Sequence, residues 1–147
     1  MKIVLYYAAL NPNGSSGRIV ARLQEKIKKQ IDFKNMADQP DPNEIANYDF
    51  IIFLVATYGD QELQGDIEKF LVSIDKDLSG KRFSICEMGN YYGYDDYYFG
   101  SGQIIQNHLI SRHAQRQMRI APVDSLPKMD WWAVDHWISE LSINLGG

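Results

Sequence analysis

The chain has 147 residues, of which 45% are hydrophobic and 23% charged, with a net charge of −4. That length builds one domain with a proper core, residues 1–147, and is too short for two. No apolar run reaches the roughly 18 residues of a spanning helix, which argues against a membrane protein. The acidic balance argues against nucleic acid, which needs clustered Lys and Arg.

The opening MKIVLYYAALNPNG has one Lys and a short apolar run. It reads as a first strand meeting a turn, not as a signal peptide. KIVLYY, Lys2 to Tyr7, is that strand. Gly17 to Gln30 comes next as an amphipathic helix, with Ile19, Val20, Leu23 and Ile27 on one side. Ile31 to Met36 is a weaker strand, and Pro42 to Asn47 a short helix. FIIFLVA, Phe50 to Ala56, is the most apolar run and reads as a central strand. A helix from Gly65 to Ile74, a strand from Lys81 to Glu87 and a helix from Ser101 to His113 come after it. A fifth strand, Gln115 to Ala121, precedes a closing helix from Trp131 to Leu145. Trp131, Trp132 and Trp137 are expected to anchor that helix to the sheet. The single cysteine, Cys86, excludes an internal disulfide; within FSICEM it reads as a buried, inert thiol. Nothing asks for an oxidising compartment, so the expected location is the cytoplasm. His108, His113 and His136 show no metal-ligand spacing.

Strands alternating with helices predict an open parallel sheet covered by helices on both faces. Ligands of such sheets bind beyond the carboxyl ends of the strands, where the strand order reverses. The loops leaving those ends therefore matter most. After the first strand, AALNPNGSSGR carries Asn11, Asn13, Ser15 and Ser16 as donors, with Gly14 and Gly17 allowing the backbone to curl. A helix N-terminus behind such a loop suits a phosphate, although a plain turn with a helix cap is the alternative. The loop has neither a Walker lysine nor G-x-G-x-x-G. After the third strand comes TYGDQELQGD, with Thr57, Tyr58, Gly59 and Asp60. After the fourth comes GNYYGYDDYYFG, holding five of the nine tyrosines. Two aromatic loops and one phosphate-like loop at a single rim suggest a flat ring ligand carrying a phosphate.

These runs resemble the flavodoxin family, over essentially the whole chain and in its short-chain form. TYGDQELQGDIEKFL is similar to the family's second flavin loop, which puts Tyr58 against one face of the isoalloxazine. GNYYGYDDYYFG is similar to its third loop; aligned on Gly89, Gly93 and Tyr98, the stacking ring falls on Tyr94. LPKMDWWAVDHWISEL resembles the opening of the family's last helix. The first loop departs from the compact Thr/Ser-x-Thr-Gly-x-Thr pattern: Asn13-Gly14-Ser15-Ser16 has a longer approach, like that of related flavin and quinone reductases. Arg18 opposes the helix dipole and reads as a surface residue, though it would suit a phosphate dianion.

The resemblance implies a three-layer α/β/α sandwich with a five-stranded parallel sheet in the order 2-1-3-4-5. It implies FMN as cofactor, held by Asn11, Asn13, Gly14, Ser15, Ser16, Thr57, Tyr58, Gly59, Asp60, Gly89, Asn90, Tyr91, Tyr94 and Tyr98. Asn90 stands where the family commonly has an Asp facing the pyrimidine edge. Tyr97 and Tyr98 are also candidates for packing beneath the next helix, and Tyr91 and Tyr92 stay open. Gly59 is where the family's peptide turns its carbonyl toward flavin N5 on one-electron reduction, a movement glycine tolerates. The implied function is a low-potential electron carrier rather than an enzyme. Its partners would be a reductase donor and an acceptor oxidoreductase, docking a basic face on Asp60, Glu62, Asp66, Asp95 and Asp96. A monomer is expected. The alternatives are a small FMN-dependent NAD(P)H:quinone or flavin reductase, and a flavin-free docking domain.

Overall fold

The structure is a computed structural model that describes residues 1–9, 13–56, 65–89, 100–125 and 128–146. Its centre is β3 (Phe50–Ala56), in which every side chain from Phe50 to Val55 is buried. A strand shielded on both faces needs no polar alternation, which is why FIIFLVA can be apolar throughout. β1 (Ile3–Tyr7) pairs with β3 on one side and with β2 (Asp32–Asn35) on the other, all parallel. β4 (Arg82–Gly89) flanks β3 on its far side, from Phe50 opposite Arg82 to Ala56 opposite Met88. With β5 at Gln115–Arg116, the order β2-β1-β3-β4-β5 is the one the family resemblance implies, and β6 (Ala121–Asp124) is added beside β4.

Alternate residues of each strand feed two cores. Ile3, Leu5, Phe50, Ile52, Leu54, Cys86 and Met88 face α1 (Ser15–Lys26) and α4 (Trp131–Asn144). Val4, Tyr6, Ile51, Phe53, Val55, Phe83 and Ile85 face α2 (Gly65–Val72) and α3 (Gly100–Ser111). Each fully buried Ile, Leu or Phe contributes about 1.5–3 kcal/mol, so these two layers hold the sheet between the helices. Tyr6, Phe53 and Phe70 form an aromatic group in the second core, with Tyr6 4.9 Å from Phe70 and 5.2 Å from Phe53 between centroids.

Several boundaries differ from the sequence expectation. α1 begins at Ser15 rather than Gly17 and stops at Lys26 rather than Gln30, because Ile27 turns to extended backbone and is drawn into the core. Pro42–Asn47 is a 3-10 helix, with Asp41 capping the Asn43 amide. The expected fifth strand, Gln115 to Ala121, is two short pieces, β5 (Gln115–Arg116) and β6 (Ala121–Asp124). Phe83 pairs with Arg116 and Cys86 with Ala121, so the second strand carries two extra residues between those pairs. The surplus bulges out, as extra residues in a ladder must, and within it Met118 reaches one core and Ile120 the other.

α4 is capped by Asp130, whose side chain accepts from the Ala133 amide at 3.1 Å. Trp137 is buried and Trp131 packs at the core's margin, but Trp132 is 76% exposed and anchors nothing. The correction follows from helical geometry: adjacent residues stand about 100° apart, so a Trp-Trp pair cannot both face the sheet. α1 and α4 are joined by Arg22, which donates to both carboxylate oxygens of Asp135 at 2.9 and 2.8 Å. Among the described residues no helix is long and apolar enough to cross a membrane.

Candidate functional site

The strand order reverses between β1 and β3, since β2 lies on one side of that pair and β4 on the other. All these strands are parallel, so their carboxyl ends share one rim: Tyr7, Ala56 and Gly89. Three loops leave that rim side by side, and the gap at the reversal is where such a sheet receives a ligand.

The first loop runs from β1 into α1. Gly14 is the N-cap residue and brings no side-chain acceptor, and no carboxylate lies in the first helical turn. The positive end of α1 is therefore not neutralised within its own first turn, which suits an anion. Ser15 is half-buried, Ser16 buried and Asn13 exposed. Arg18 is exposed, with its guanidinium 6.0 Å from the Trp131 ring centroid. Asn11 lies outside the described residues.

The second loop leaves β3 at Ala56, and the chain is described again from Gly65, where α2 starts. Thr57, Tyr58, Gly59, Asp60 and Glu62 lie outside the described residues, while Asp66 is exposed in the first turn of α2. The third loop leaves β4 at Gly89, whose carbonyl accepts from the Ser125 amide at 2.9 Å. Asn90, Tyr91, Tyr92, Tyr94, Asp95, Asp96, Tyr97 and Tyr98 lie outside the described residues.

Three polar residues whose contacts sequence reading passes over, Glu87, Ser101 and Asn35, hold the bases of these loops. Glu87 is fully buried, and its Oε1 accepts from the Gly102 amide in the first turn of α3 at 2.6 Å. Ser101, next to it and also buried, sets its hydroxyl 3.5 Å from the Ala56 carbonyl at the end of β3. The signal for Glu87 was present: one carboxylate interrupts the apolar run of FSICEM. Asn35, at the end of β2, donates from Nδ2 to the Ala9 carbonyl at 2.7 Å and accepts the Ala9 amide on Oδ1 at 3.2 Å. Its signal was only an amide closing a strand.

Cys86 is buried as expected, and burial, reinforced by the neighbouring Glu87 charge, pushes its thiol far up. A thiol so held stays protonated and is a poor nucleophile. His113 pairs with Asp77 and His136 with Glu140, each at 2.8 Å and on the surface. Among the described residues no group of three or more His, Cys, Asp or Glu could hold a metal ion. A groove of about 320 Å³ opens between β6 and α4, walled in part by Pro122, Trp132 and His136. It lies along β6, away from the β1/β3 reversal.

Comparison with known proteins points the same way as the rim. The family model described as Flavodoxin matches residues 14–137. Flavodoxin 1 of Azotobacter vinelandii is 25% identical over 118 residues, covering 77% of this chain and 67% of the relative. The structure of oxidised Flavodoxin 2 from Bacillus cereus superposes with a TM-score of 0.76 at 24% identity, over 99% of this chain and 98% of that one. A Fusobacterium nucleatum flavodoxin bound to flavin mononucleotide is similar in fold, with a TM-score of 0.71 at 16% identity over 97% of both chains.

Proposed function

The chain belongs to the flavodoxin family, and from that premise we propose that it binds FMN and carries single electrons between redox partner proteins. The observation that supports this most is the rim itself. Three adjacent loops leave β1, β3 and β4 where the strand order reverses, and the first leads into a helix whose first turn has no carboxylate.

In this reading the α1 N-terminus, with Ser15, Ser16, Gly14, Asn11 and Asn13, holds the phosphate. Thr57, Tyr58, Gly59 and Asp60 form one wall of the ring site; Gly89, Asn90, Tyr91, Tyr94 and Tyr98 form the other. Tyr58 and Tyr94 cover the two faces of the ring and exclude water, adding contact area. FMN supplies the redox chemistry, and the protein tunes it. Asp60, Glu62, Asp66, Asp95 and Asp96 would disfavour added negative charge on a bound ring; two unit charges about 4 Å apart in a water-like dielectric interact by about 1 kcal/mol, and each carboxylate would contribute no more than that. Together they lower the potential and offer a basic partner an acidic face, so transfer to that partner weakens with salt.

Titrating the apoprotein with FMN tests the binding half; saturation at one FMN per chain is expected. Mixing the loaded protein with NADPH tests the carrier half. Slow reduction by NADPH alone, made fast by a flavoprotein reductase, is expected of a carrier. Fast reduction by NADPH alone would instead make the protein a reductase.

A further inference from the structure

Asn35 is the last residue of β2 and sits opposite Tyr7, the last residue of β1. Beyond that point β2 bends into the 3-10 turn Met36–Asp38, and the backbone ladder ends. The Asn35 side chain continues it. Its amide has the same donor and acceptor as a peptide, and it meets both groups of Ala9, the carbonyl at 2.7 Å and the amide at 3.2 Å. The same Oδ1 also accepts the Ala37 amide at 3.1 Å, which fixes the side chain on its own turn. Ala9 is therefore held two residues past the end of β1. The far end of the same loop is held by Ser16 and Ile19, both buried in α1.

We infer that Asn35 is a positioning residue for the phosphate-binding loop, and so sets the preference for a flavin bearing a 5′-phosphate over one without. The inference rests on the FMN reading above. Anion binding by backbone amides requires those amides to be aimed before the ligand arrives, since ordering them on binding costs affinity. A short loop keeps its aim only if both ends are fixed. Only an amide of this length serves Ala9 in both directions. Aspartate has no donor for the Ala9 carbonyl and sets a negative oxygen against it; leucine offers neither group.

The test compares dissociation constants for FMN and for riboflavin, measured by quenching of flavin fluorescence on titration with apoprotein. The proteins are the wild type, Asn35→Asp and Asn35→Ala; the alanine variant leaves room for water to serve Ala9 if the aspartate variant does not fold. Wild type should prefer FMN strongly. In the variants FMN binding should weaken about tenfold, the size of a lost hydrogen bond and a misaimed loop, while riboflavin binding stays as it was. A purely structural role would weaken both flavins alike, and that result, or an unchanged preference for FMN in a folded variant, overturns the inference while leaving the functional reading intact. A wild type that bound neither flavin would overturn both.

Discussion

The buried Glu87 carboxylate accepts the Gly102 amide at 2.6 Å, joining the end of β4 to the first turn of α3 across the base of the tyrosine-rich loop. A carboxylate at a helix N-terminus satisfies an otherwise orphaned amide and meets the positive end of the dipole. Replacing it leaves that amide buried. Glu87→Ala should cost about 2–3 kcal/mol of stability, the scale of a buried hydrogen bond to a charged group. Glu87→Gln, which keeps an acceptor, should cost less. Urea denaturation measures both; two variants as stable as wild type would mean the contact carries no weight.

Gly102 itself is tightly enclosed. A Cβ there would stand 3.1 Å from Ile120 Cγ2, 3.3 Å from Ile120 Cδ1 and 3.4 Å from Glu87 Oε1. Helix propensity alone favours Gly→Ala by about 1 kcal/mol. Crowding against Ile120 opposes it, and overpacking a core costs about 1–3 kcal/mol. Gly102→Ala should therefore destabilise the protein by about 1 kcal/mol net, and adding Ile120→Val, which removes Cδ1, should recover part of the loss. A stabilised single variant would show that Ile120 yields freely.

Tyr48 donates to Asp32 at 2.7 Å, and burial together with that bond pushes its hydroxyl up to about 12. Burial raises Tyr6 as well. An unfolded tyrosine titrates near 10, so the folded value lies above the unfolded one. The stability linked to Tyr48 is thus fully present below pH about 10 and is lost as pH rises toward about 12. Urea midpoints between these pH values should fall, and Tyr48→Phe should make the fall shallower. An identical alkaline slope in the variant would exclude Tyr48 as a contributor.

The tryptophans of α4 divide sharply. Trp137 is 2% exposed, with Nε1 3.5 Å from the Ser84 hydroxyl, and Trp132 is 76% exposed against the His136 ring. Trp137→Ala should cost about 3–5 kcal/mol. Trp132→Ser should stay within about 0.5 kcal/mol of wild type. Thermal and urea unfolding of the two variants separates them; a large loss at Trp132 would place it in the core after all.

Much of this architecture was legible because each central strand announces itself. FIIFLVA has no polar residue to spare for solvent, and its neighbours alternate with amphipathic helices, so the parallel sheet is the expected outcome; its order came with the family resemblance. The split of the last strand was not legible. QRQMRIA alternates as a strand should, and only the pairing of Phe83 with Arg116 and Cys86 with Ala121 reveals two surplus residues. Trp131-Trp132 likewise names two large rings without saying which one the helix turns inward. At the site, the strand and helix ends that bound the loops were legible: Ala56 and Gly65 as expected, and Gly89 and Gly100 within two residues of the expected Glu87 and Ser101. Their supports were only half legible: Glu87 shows as a carboxylate interrupting a strand and Asn35 as an amide closing one, but both act through long-range partners that no local pattern encodes.

The absorbance spectrum of the purified protein tests the central claim most directly. A yellow protein with a flavin band, releasing one FMN per chain on denaturation, is the predicted result. A colourless protein whose apo form takes up no added FMN would contradict it.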